Sequence, residues 1–232
     1  MNVLVTGASS GIGRALVLEF CKEGASVVGL SRNEGALREL AERCKNFDFL
    51  LSDLSDLSSL SSIRERLMVL GHLDVLINNA GFGAYRRMLE TEPDDIVKMA
   101  SVNFLAPILL TKELLPLMRE GSTVVNIITA GIHVLLSGLP LYGATKIALH
   151  YVSEAMRDEL KERGIRLISV YPGLVNTDFH SRAGKEVRGG IAPEVVARIV
   201  VRAIKEGRER VYVPRYLGLL RLLGPHLPRV RQ

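Results

Sequence analysis

The sequence predicts an α/β fold in which a mainly parallel, seven-stranded sheet lies between two layers of helices. Short, β-branched apolar runs alternate along the whole chain with longer amphipathic segments, and turn signals separate the two kinds of segment. Strands that are apolar throughout are typical of parallel sheets covered on both faces. The chain has 232 residues, of which 47% are hydrophobic, so one large domain can bury a sizeable core.

The seven apolar runs are the predicted strands, and they lie at 2–6, 26–30, 47–51, 74–78, 122–128, 165–170 and 210–213. The predicted helices lie at 11–24, 34–45, 56–70, 92–120, 140–163 and 193–207. Gly24, Gly71 and Gly164 follow three of these helices, and Pro193 begins the last one. A doubly wound sheet of this kind binds ligands at the carboxyl ends of its strands.

A glycine-rich loop, TGASSGIG (6–13), joins the first strand to the first helix. Glycines at this junction allow a tight turn and let the backbone approach a pyrophosphate, which the helix N-terminus also attracts. Strand, loop and helix follow one another in the order that a Rossmann-type dinucleotide site requires. The residues expected to bind the cofactor here are Gly7, Ser9, Ser10, Gly11, Ile12 and Gly13.

The end of the second predicted strand favours NADP(H) over NAD(H). NAD sites place a carboxylate there, whereas this chain has Ser31 and Arg32, and a guanidinium pairs well with a 2′-phosphate. The alternative is that Arg32 is an ordinary surface arginine. After the third strand, Asp53 and Leu54 are expected to lie near the adenine.

Tyr142 and Lys146 lie four residues apart, which on a helix places both side chains on one face. A phenol beside a cation suits proton transfer. Together with TGASSGIG, the motifs NNAG (78–81), YGATK (142–146) and YPGLVNTDF (171–179), and Asn103, stand in the order and spacing of the classical short-chain dehydrogenases/reductases. The sequence resembles that family over about residues 2–213.

The resemblance implies that Tyr142 is the general acid/base and that Lys146 lowers the phenol pKa and holds the nicotinamide ribose. It also implies that Asn103 connects the lysine to a proton relay. The further cofactor contacts that it implies are those of Asn79, Ala80, Gly81, Pro172, Gly173, Val175 and Thr177.

The sequence departs from the family's pattern at the substrate-holding serine. Thr129 stands thirteen residues before Tyr142, where that serine is expected, but its spacing to Gly131 is one residue short. Thr129 retains a hydroxyl that can donate to a carbonyl oxygen. Ser137 is the alternative hydroxyl, and a third possibility is that neither acts. His133 has no acidic partner at useful spacing, so only substrate contact is expected of it.

The predicted function is NADP(H)-dependent interconversion of a carbonyl and an alcohol by hydride transfer. The apolar loop 131–140 favours a small uncharged or hydrophobic substrate, and a Gly-rich, basic lid is expected at about 178–192. The first alternative is a catalytically impaired NADP(H)-binding scaffold. A nucleotide-sugar epimerase ranks last, because residues 1–213 form the whole predicted catalytic domain and no long substrate domain follows.

The tail, residues 214–232, is both apolar and basic. It is expected to pack on its own domain or a partner subunit first and on a membrane surface second. From Arg198 to Arg231 there are nine Lys/Arg and two Glu, but with no aromatic interleaving a nucleic-acid partner is not expected. A homodimer or homotetramer is expected.

Cys21 and Cys44 are predicted to be reduced thiols of a cytoplasmic protein, and no metal site is expected. No signal peptide or transmembrane helix is expected either. Glutamine occurs once, at Gln232, and this scarcity hints at a heat-adapted source.

Overall fold

A computed structural model describes residues 1–187 and 189–223. Its seven strands form one sheet, every neighbouring pair of which is parallel, in the order β3-β2-β1-β4-β5-β6-β7. The strands are β1 (Asn2–Thr6), β2 (Ser26–Ser31), β3 (Phe47–Leu51), β4 (Val75–Asn78), β5 (Thr123–Ile127), β6 (Arg166–Pro172) and β7 (Arg210–Val213). The predicted fold class is confirmed, and the predicted strands match these bounds to within two residues.

The helices are α1 (Gly11–Lys22), α2 (Glu34–Arg43), α3 (Leu60–Leu67), α4 (Pro93–Ala100), α5 (Ala106–Leu114), α6 (Pro140–Lys161), α7 (Phe179–Arg182), α8 (Pro193–Glu206) and α9 (Leu220–Leu223). Short 3-10 turns flank several of them, at Leu57–Ser59, Met68–Leu70, Met88–Glu90, Leu115–Leu117, Ala130–His133 and Arg215–Leu219. The sequence did not predict α7 or the turn at Ala130–His133, because each is too short to show a helical period.

Two apolar cores cover the two faces of the sheet, as the doubly wound prediction requires. One core packs α1, α2 and α8 against the sheet, and the other packs α3, α5 and α6. A third, smaller core lies beyond the carboxyl end of β5 and β6, where Ile128, Ala130, Leu149 and Tyr171 are buried. The strand order reverses between β1 and β4, so a crevice opens between their carboxyl ends.

The predicted helix 92–120 is continuous but irregular. A π-helical turn, Ser101–Leu105, joins α4 to α5, and such turns are frequent at functional sites. By length and composition alone, the helical run Pro93–Leu117 could cross a membrane. It is weak evidence for a span, because 44% of that window is buried inside the fold, and a core helix passes the same test.

The cysteine prediction is wrong, because Cys21 and Cys44 form a disulfide in the structure. Cys21 lies near the end of α1 and Cys44 caps the end of α2. The two elements bring the Cα atoms to 5.9 Å, within the range that a disulfide spans. The sequence could not show this, because the two residues are 23 positions apart and their approach depends on how α1 packs against α2.

The first part of the tail packs on its own domain. Leu217 and Leu220 lie against the third core, while Tyr216, Leu219 and Leu222 point to solvent. This agrees with the first of the expected placements. The rest of the tail, from residue 224 on, lies outside the described residues, as does Arg188 of the predicted lid.

Candidate active site

A cleft with a volume of about 740 Å³ runs along the carboxyl ends of the strands, across the point where the strand order reverses. Predicted site residues line it from end to end: Gly7, Ser9, Ser10, Gly11, Ile12, Ser31, Arg32, Asp53, Leu54, Asn79, Ala80, Gly81, Thr129, Tyr142, Lys146, Pro172, Gly173, Val175 and Thr177. Only Gly13 and Asn103 among the predicted residues are not part of the lining. The fold therefore brings nearly the whole predicted set into one cleft.

The glycine loop shows why glycine is needed at each of its three positions. Gly7 and Gly11 have positive φ values of 67° and 53°, which side chains rarely tolerate. A Cβ on Gly13 would lie 2.1 Å from the carbonyl oxygen of Gly7, so this position lets α1 pack closely under the loop. Gly13 thus shapes the loop from below and does not line the cleft.

Asn79 holds the glycine loop in place from the neighbouring strand. Its side-chain amide donates to the carbonyl oxygens of Thr6, at 2.9 Å, and Gly7, at 3.3 Å. The backbone N–H of Ala80 donates to the Thr6 hydroxyl at 3.0 Å. The NNAG motif therefore joins the ends of β1 and β4, in addition to lining the cleft.

At the outer end of the cleft, the predicted cofactor residues contact one another. The Ser31 hydroxyl donates to the Ser9 hydroxyl at 2.7 Å. Arg32 Nη1 lies 3.3 Å from Asp53 Oδ2, and the two side chains are 65% and 40% exposed. An ion pair this exposed stabilises little. The Arg32 guanidinium can therefore turn to an anionic ligand at small cost.

At the inner end, α6 brings Tyr142 and Lys146 to one wall of the cleft, as their spacing predicts. Lys146 is buried, and its Nζ donates to the carbonyl oxygen of Ile127 at 2.9 Å. The same Nζ lies 6.0 Å from the centre of the Tyr142 ring. Thr129 lines the same end of the cleft, and its hydroxyl is near enough to the Tyr142 phenol to lower the phenol pKa. Three polar groups of the required kinds therefore meet at the inner end of the cleft.

The Thr129 hydroxyl is also engaged by the backbone around it. It donates to the carbonyl oxygen of Pro172 at 3.3 Å and accepts from the N–H of Gly131 at 3.1 Å. The second bond caps the turn Ala130–His133 and fixes the threonine side chain. Ser137 is exposed and lies outside the cleft lining, so Thr129 is the hydroxyl that the fold places beside Tyr142.

The electrostatics of this pair differ from the expectation that Lys146 lowers the pKa of Tyr142. Burial raises the pKa of the Tyr142 phenol above its ordinary value, and the hydrogen bond with Thr129 offsets only part of that effect. Burial also lowers the pKa of Lys146 to about 8. Both shifts have one cause, since limited access of water disfavours the charged form of each group; Lys146 is buried and Tyr142 is partly buried.

Asn103 stands on the π-helical turn and is fully buried. Its side-chain amide donates to the carbonyl oxygen of Phe82 at 2.8 Å and to the Thr145 hydroxyl at 3.1 Å, and its oxygen accepts from the N–H of Phe82. A Cβ on Gly81 would lie 3.2 Å from Asn103 Oδ1 and 3.4 Å from Lys146 Nζ. Asn103 and Lys146 therefore approach Gly81 from two sides.

The residues after β6 close the cleft beside the glycine loop. Gly11 approaches Thr177 so closely that a Cβ on it would lie 3.1 Å from the threonine Cγ2. Val175 forms an isolated parallel bridge with Ile191, which anchors the end of the lid. A Cβ on Gly173 would lie 2.6 Å from Leu217 Cδ1, so the turn at Pro172 and Gly173 brings the tail against the cleft.

Apolar side chains complete the inner end of the cleft. Val134, Leu136 and Leu139 belong to the loop 131–140 that was expected to contact the substrate, and Phe179 belongs to the expected lid. Leu217 and Leu220, from the tail, were not assigned to the site from the sequence. The Phe179 ring lies 5.0 Å from the Tyr142 ring. The spacing of Leu217 and Leu220 on one helical face was a usable signal for the tail, but nothing in the sequence indicated which surface that face covers.

His133 is not part of the cleft lining, although substrate contact was expected of it. Its Nε2 is hydrogen-bonded to the Tyr212 hydroxyl at 2.8 Å, and its ring stacks on Tyr212 and lies near Tyr171. Burial lowers the pKa of His133, and the neighbouring His150 lowers it further. His133 therefore belongs to an aromatic cluster that supports the third core.

Comparisons with known proteins agree with this geometry. A family model described as short chain dehydrogenase matches residues 1–188. The chain is 28% identical over 236 aligned positions to 17-beta-hydroxysteroid dehydrogenase 13 of Mus musculus, covering 97% of this chain and 78% of that protein. It is 29% identical to estradiol 17-beta-dehydrogenase 11 of Rattus norvegicus, with 97% and 79% covered.

Solved structures resemble the whole fold. A short-chain dehydrogenase from Streptomyces avermitilis superposes with a TM-score of 0.85 at 28% identity, over 95% of this chain and 90% of that one. The structure of BdcA in complex with NADPH superposes with a TM-score of 0.80 at 27% identity, over 91% and 92%. The similarity thus extends over both ends of the cleft.

Proposed function

The chain belongs to the short-chain dehydrogenase family of oxidoreductases, and we propose that it interconverts a ketone or aldehyde and the corresponding alcohol with NADP(H). One observation carries the proposal: Tyr142, Lys146 and Thr129 stand together at the inner end of the cleft, with Lys146 Nζ 6.0 Å from the centre of the Tyr142 ring. A proton donor, a cation and a second hydroxyl are what reduction of a carbonyl needs from the protein.

The cleft fits a nicotinamide dinucleotide in shape and in chemistry. Gly7 and Gly11 leave backbone exposed at the N-terminus of α1, where a pyrophosphate is attracted by free N–H groups. The outer end is lined by Ser31, Arg32 and Asp53, and the inner end is lined by Lys146 and Thr177. When bound, the nicotinamide supplies or accepts the hydride.

In this proposal the protein's own residues handle the proton and the oxygen. Tyr142 donates its phenolic proton to the carbonyl oxygen as that oxygen gains charge, and Thr129 stabilises the same oxygen through its hydroxyl. Lys146 holds the nicotinamide ribose and offsets charge on the phenolate. Asn103 supports Lys146 and fixes the backbone at Phe82, so that Gly81 stays close to both side chains.

The preference for NADP(H) rests on Arg32. It stands at the end of β2, where a carboxylate would repel a 2′-phosphate, and its ion pair with Asp53 is exposed. Asp53 opposes the preference for NADP(H), because its carboxylate lies within reach of the same guanidinium and competes for it. The ratio of the dissociation constants for NADPH and NADH tests this preference directly.

The proposed substrate is uncharged and largely apolar. Leu136, Leu139, Phe179, Leu217 and Leu220 make the inner wall, which suits a carbonyl compound with a bulky hydrocarbon body. The hydroxysteroid and estradiol dehydrogenases among the relatives are named for substrates of that character. A hydroxysteroid is therefore a reasonable member of a first substrate panel.

The test is oxidation of NADPH, followed by loss of its absorbance, against apolar ketones, aldehydes and diones, with hydroxysteroids and NADP⁺ for the reverse reaction. We expect turnover with at least one apolar substrate. Turnover should fall by about a thousandfold in Tyr142→Phe. Turnover within about threefold of wild type in Tyr142→Phe would reject Tyr142 as the acid.

A second candidate function is an NADP(H)-binding scaffold without turnover. The observation that favours it is the engagement of Thr129, whose hydroxyl donates to the Pro172 carbonyl and replaces the family's usual serine. Tight binding of NADPH with no turnover across the whole panel would support the scaffold and reject the enzyme. The same samples therefore decide between the two.

A homo-oligomer and a weak membrane contact are also proposed. Val97 on α4 and Ile147 and Tyr151 on α6 are exposed apolar side chains of two helices in contact, which suits a subunit interface. Light scattering should show a smaller particle for Tyr151→Glu.

For the tail, a chain ending at Pro214 should pellet less with anionic vesicles than the full chain, and equal pelleting would reject the membrane contact.

A cytoplasmic location is proposed together with a heat-adapted source. Disulfides are rare in cytoplasmic proteins except in those of hyperthermophiles. The bond between Cys21 and Cys44 and the scarcity of glutamine are both consistent with such a source. A half-inactivation temperature close to that of a mesophilic relative would contradict it.

A further inference from the structure

The lid helix α7 touches three parts of the cleft at once. The Phe179 ring packs on the Tyr142 ring with 5.0 Å between their centres. The carbonyl oxygen of Ala183, just after α7, accepts from the N–H of Tyr85 at 2.8 Å. Arg182 Nη1 donates to the Ser10 hydroxyl at 3.1 Å, across 172 residues of sequence. The third contact joins the lid to the glycine loop.

Ser10 marks the place where a pyrophosphate is expected. It is the N-cap residue of α1, yet its side chain makes no capping hydrogen bond to the helix. The first turn of α1, which is wholly described, contains no acidic residue that would repel an anion. A cation that reaches Ser10 from the lid therefore lies against the anion-binding end of a twelve-residue helix.

Three other cations near the cleft have partners of their own. Arg14, on α1 itself, pairs with Glu39, and Lys146 donates to the Ile127 carbonyl at the inner end, while Arg32 has an exposed pair with Asp53 at the outer end, where the 2′-phosphate is expected. Arg182 also pairs with Asp178, but those side chains are 64% and 69% exposed. An ion pair so exposed holds the guanidinium only weakly.

From these contacts, and resting on the proposed function, we propose that Arg182 is a further cofactor-binding residue whose guanidinium donates to the pyrophosphate of the bound dinucleotide. The same contact holds α7 over the cleft, so that Phe179 stays against Tyr142.

Substitutions of Arg182 and Arg32 should differ in which cofactors bind more weakly. NADPH and NADH share the pyrophosphate, so Arg182→Gln should weaken the binding of both by the same factor. We expect about tenfold, the effect of losing one charge-assisted hydrogen bond at a partly exposed site. The dependence of the dissociation constant on salt concentration should also become less steep, because one ionic contact is lost.

The experiment measures dissociation constants of NADPH and NADH by fluorescence for wild type, Arg182→Gln and Arg182→Lys. The matched control is Arg202→Gln, since Arg202 is an exposed arginine with the same i,i+4 pairing to a carboxylate, on α8 and outside the cleft lining. Arg202→Gln should bind both cofactors as wild type does. Arg182→Lys keeps the charge and loses the planar geometry, so its dissociation constants should lie between those of wild type and those of Arg182→Gln.

Wild-type affinity of Arg182→Gln for both cofactors would overturn the proposal. A loss confined to NADPH would overturn it too, because Arg182 would then contact the 2′-phosphate. Failure of the proposed function gives a different result, in which wild type itself binds neither cofactor. Thermal unfolding of each variant checks that the fold is intact.

Discussion

The two ends of the cleft differ in whether backbone or side chains form them. The outer end uses backbone: Gly7 and Gly11 adopt positive φ values, and the polar side chains near them, such as Arg32, are exposed. The inner end uses side chains that are less exposed, Lys146 being buried and Tyr142 partly buried, and this burial raises the pKa of Tyr142 and lowers that of Lys146. Because a buried polar group interacts more strongly than an exposed one, single substitutions should have larger effects at the inner end.

The largest effect is expected at Tyr142. Tyr142→Phe removes the phenolic proton and little else, so turnover should fall by about a thousandfold, within the range for loss of a general acid. The dissociation constant of NADPH should stay within about twofold of wild type, because the ring remains packed on Phe179. Rapid single-turnover kinetics and fluorescence titration measure the two quantities. A parallel loss of both would mean that Tyr142 acts mainly in binding.

Thr129 should give the next largest effect. Thr129→Val keeps the shape of the side chain but removes the hydroxyl that contacts the Tyr142 phenol, so kcat should fall about a hundredfold, as for loss of one oxyanion donor. Thr129→Ser is the matched control, and it should retain activity within a few-fold of wild type. Wild-type kcat in Thr129→Val would show that the hydroxyl serves only to cap the turn at Gly131.

The outer end should respond more weakly and in a way that depends on the cofactor. Arg32→Gln should weaken NADPH binding about tenfold, the loss of one charge-assisted contact, and leave NADH binding unchanged. Asp53→Asn should strengthen NADPH binding and leave NADH binding unchanged, because it removes the carboxylate that competes for the Arg32 guanidinium. Titrations of both variants with both cofactors give the ratio of affinities. Equal changes for NADPH and NADH would show that neither residue recognises the 2′-phosphate.

The same contrast explains what the sequence could predict. A requirement on the backbone leaves a local pattern, so the glycine loop, the strands and the pairing of Tyr142 with Lys146 were recognisable. Contacts between distant segments leave none: Cys21 with Cys44, Arg182 with Ser10, and Leu217 with Gly173 depend on packing. The direction of the Tyr142 pKa shift was also missed, because it is decided by how much water reaches the phenol.

The last prediction concerns stability and not activity or binding: the free energy of unfolding should depend on pH through Lys146. Burial lowers the pKa of Lys146 to about 8, well below that of a lysine in an unfolded chain, about 10.4. Below pH 8 the folded protein must hold a buried charge, which destabilises it relative to the unfolded chain. As the pH rises from about 8 towards 10.4, the folded protein releases this proton first, so the cost disappears and stability increases.

Lys146→Met removes the titrating group and keeps an apolar side chain of similar length. The free energy of unfolding of wild type minus that of Lys146→Met should therefore increase between about pH 7 and about pH 9.5, whereas other titrating groups cancel in the difference. The control is Lys205→Met, at an exposed lysine paired with Glu23, for which the corresponding difference should stay constant. Urea unfolding at several pH values measures both differences. A constant difference for Lys146→Met would mean that water reaches Lys146 and that the inner end of the cleft is less enclosed than its contacts indicate.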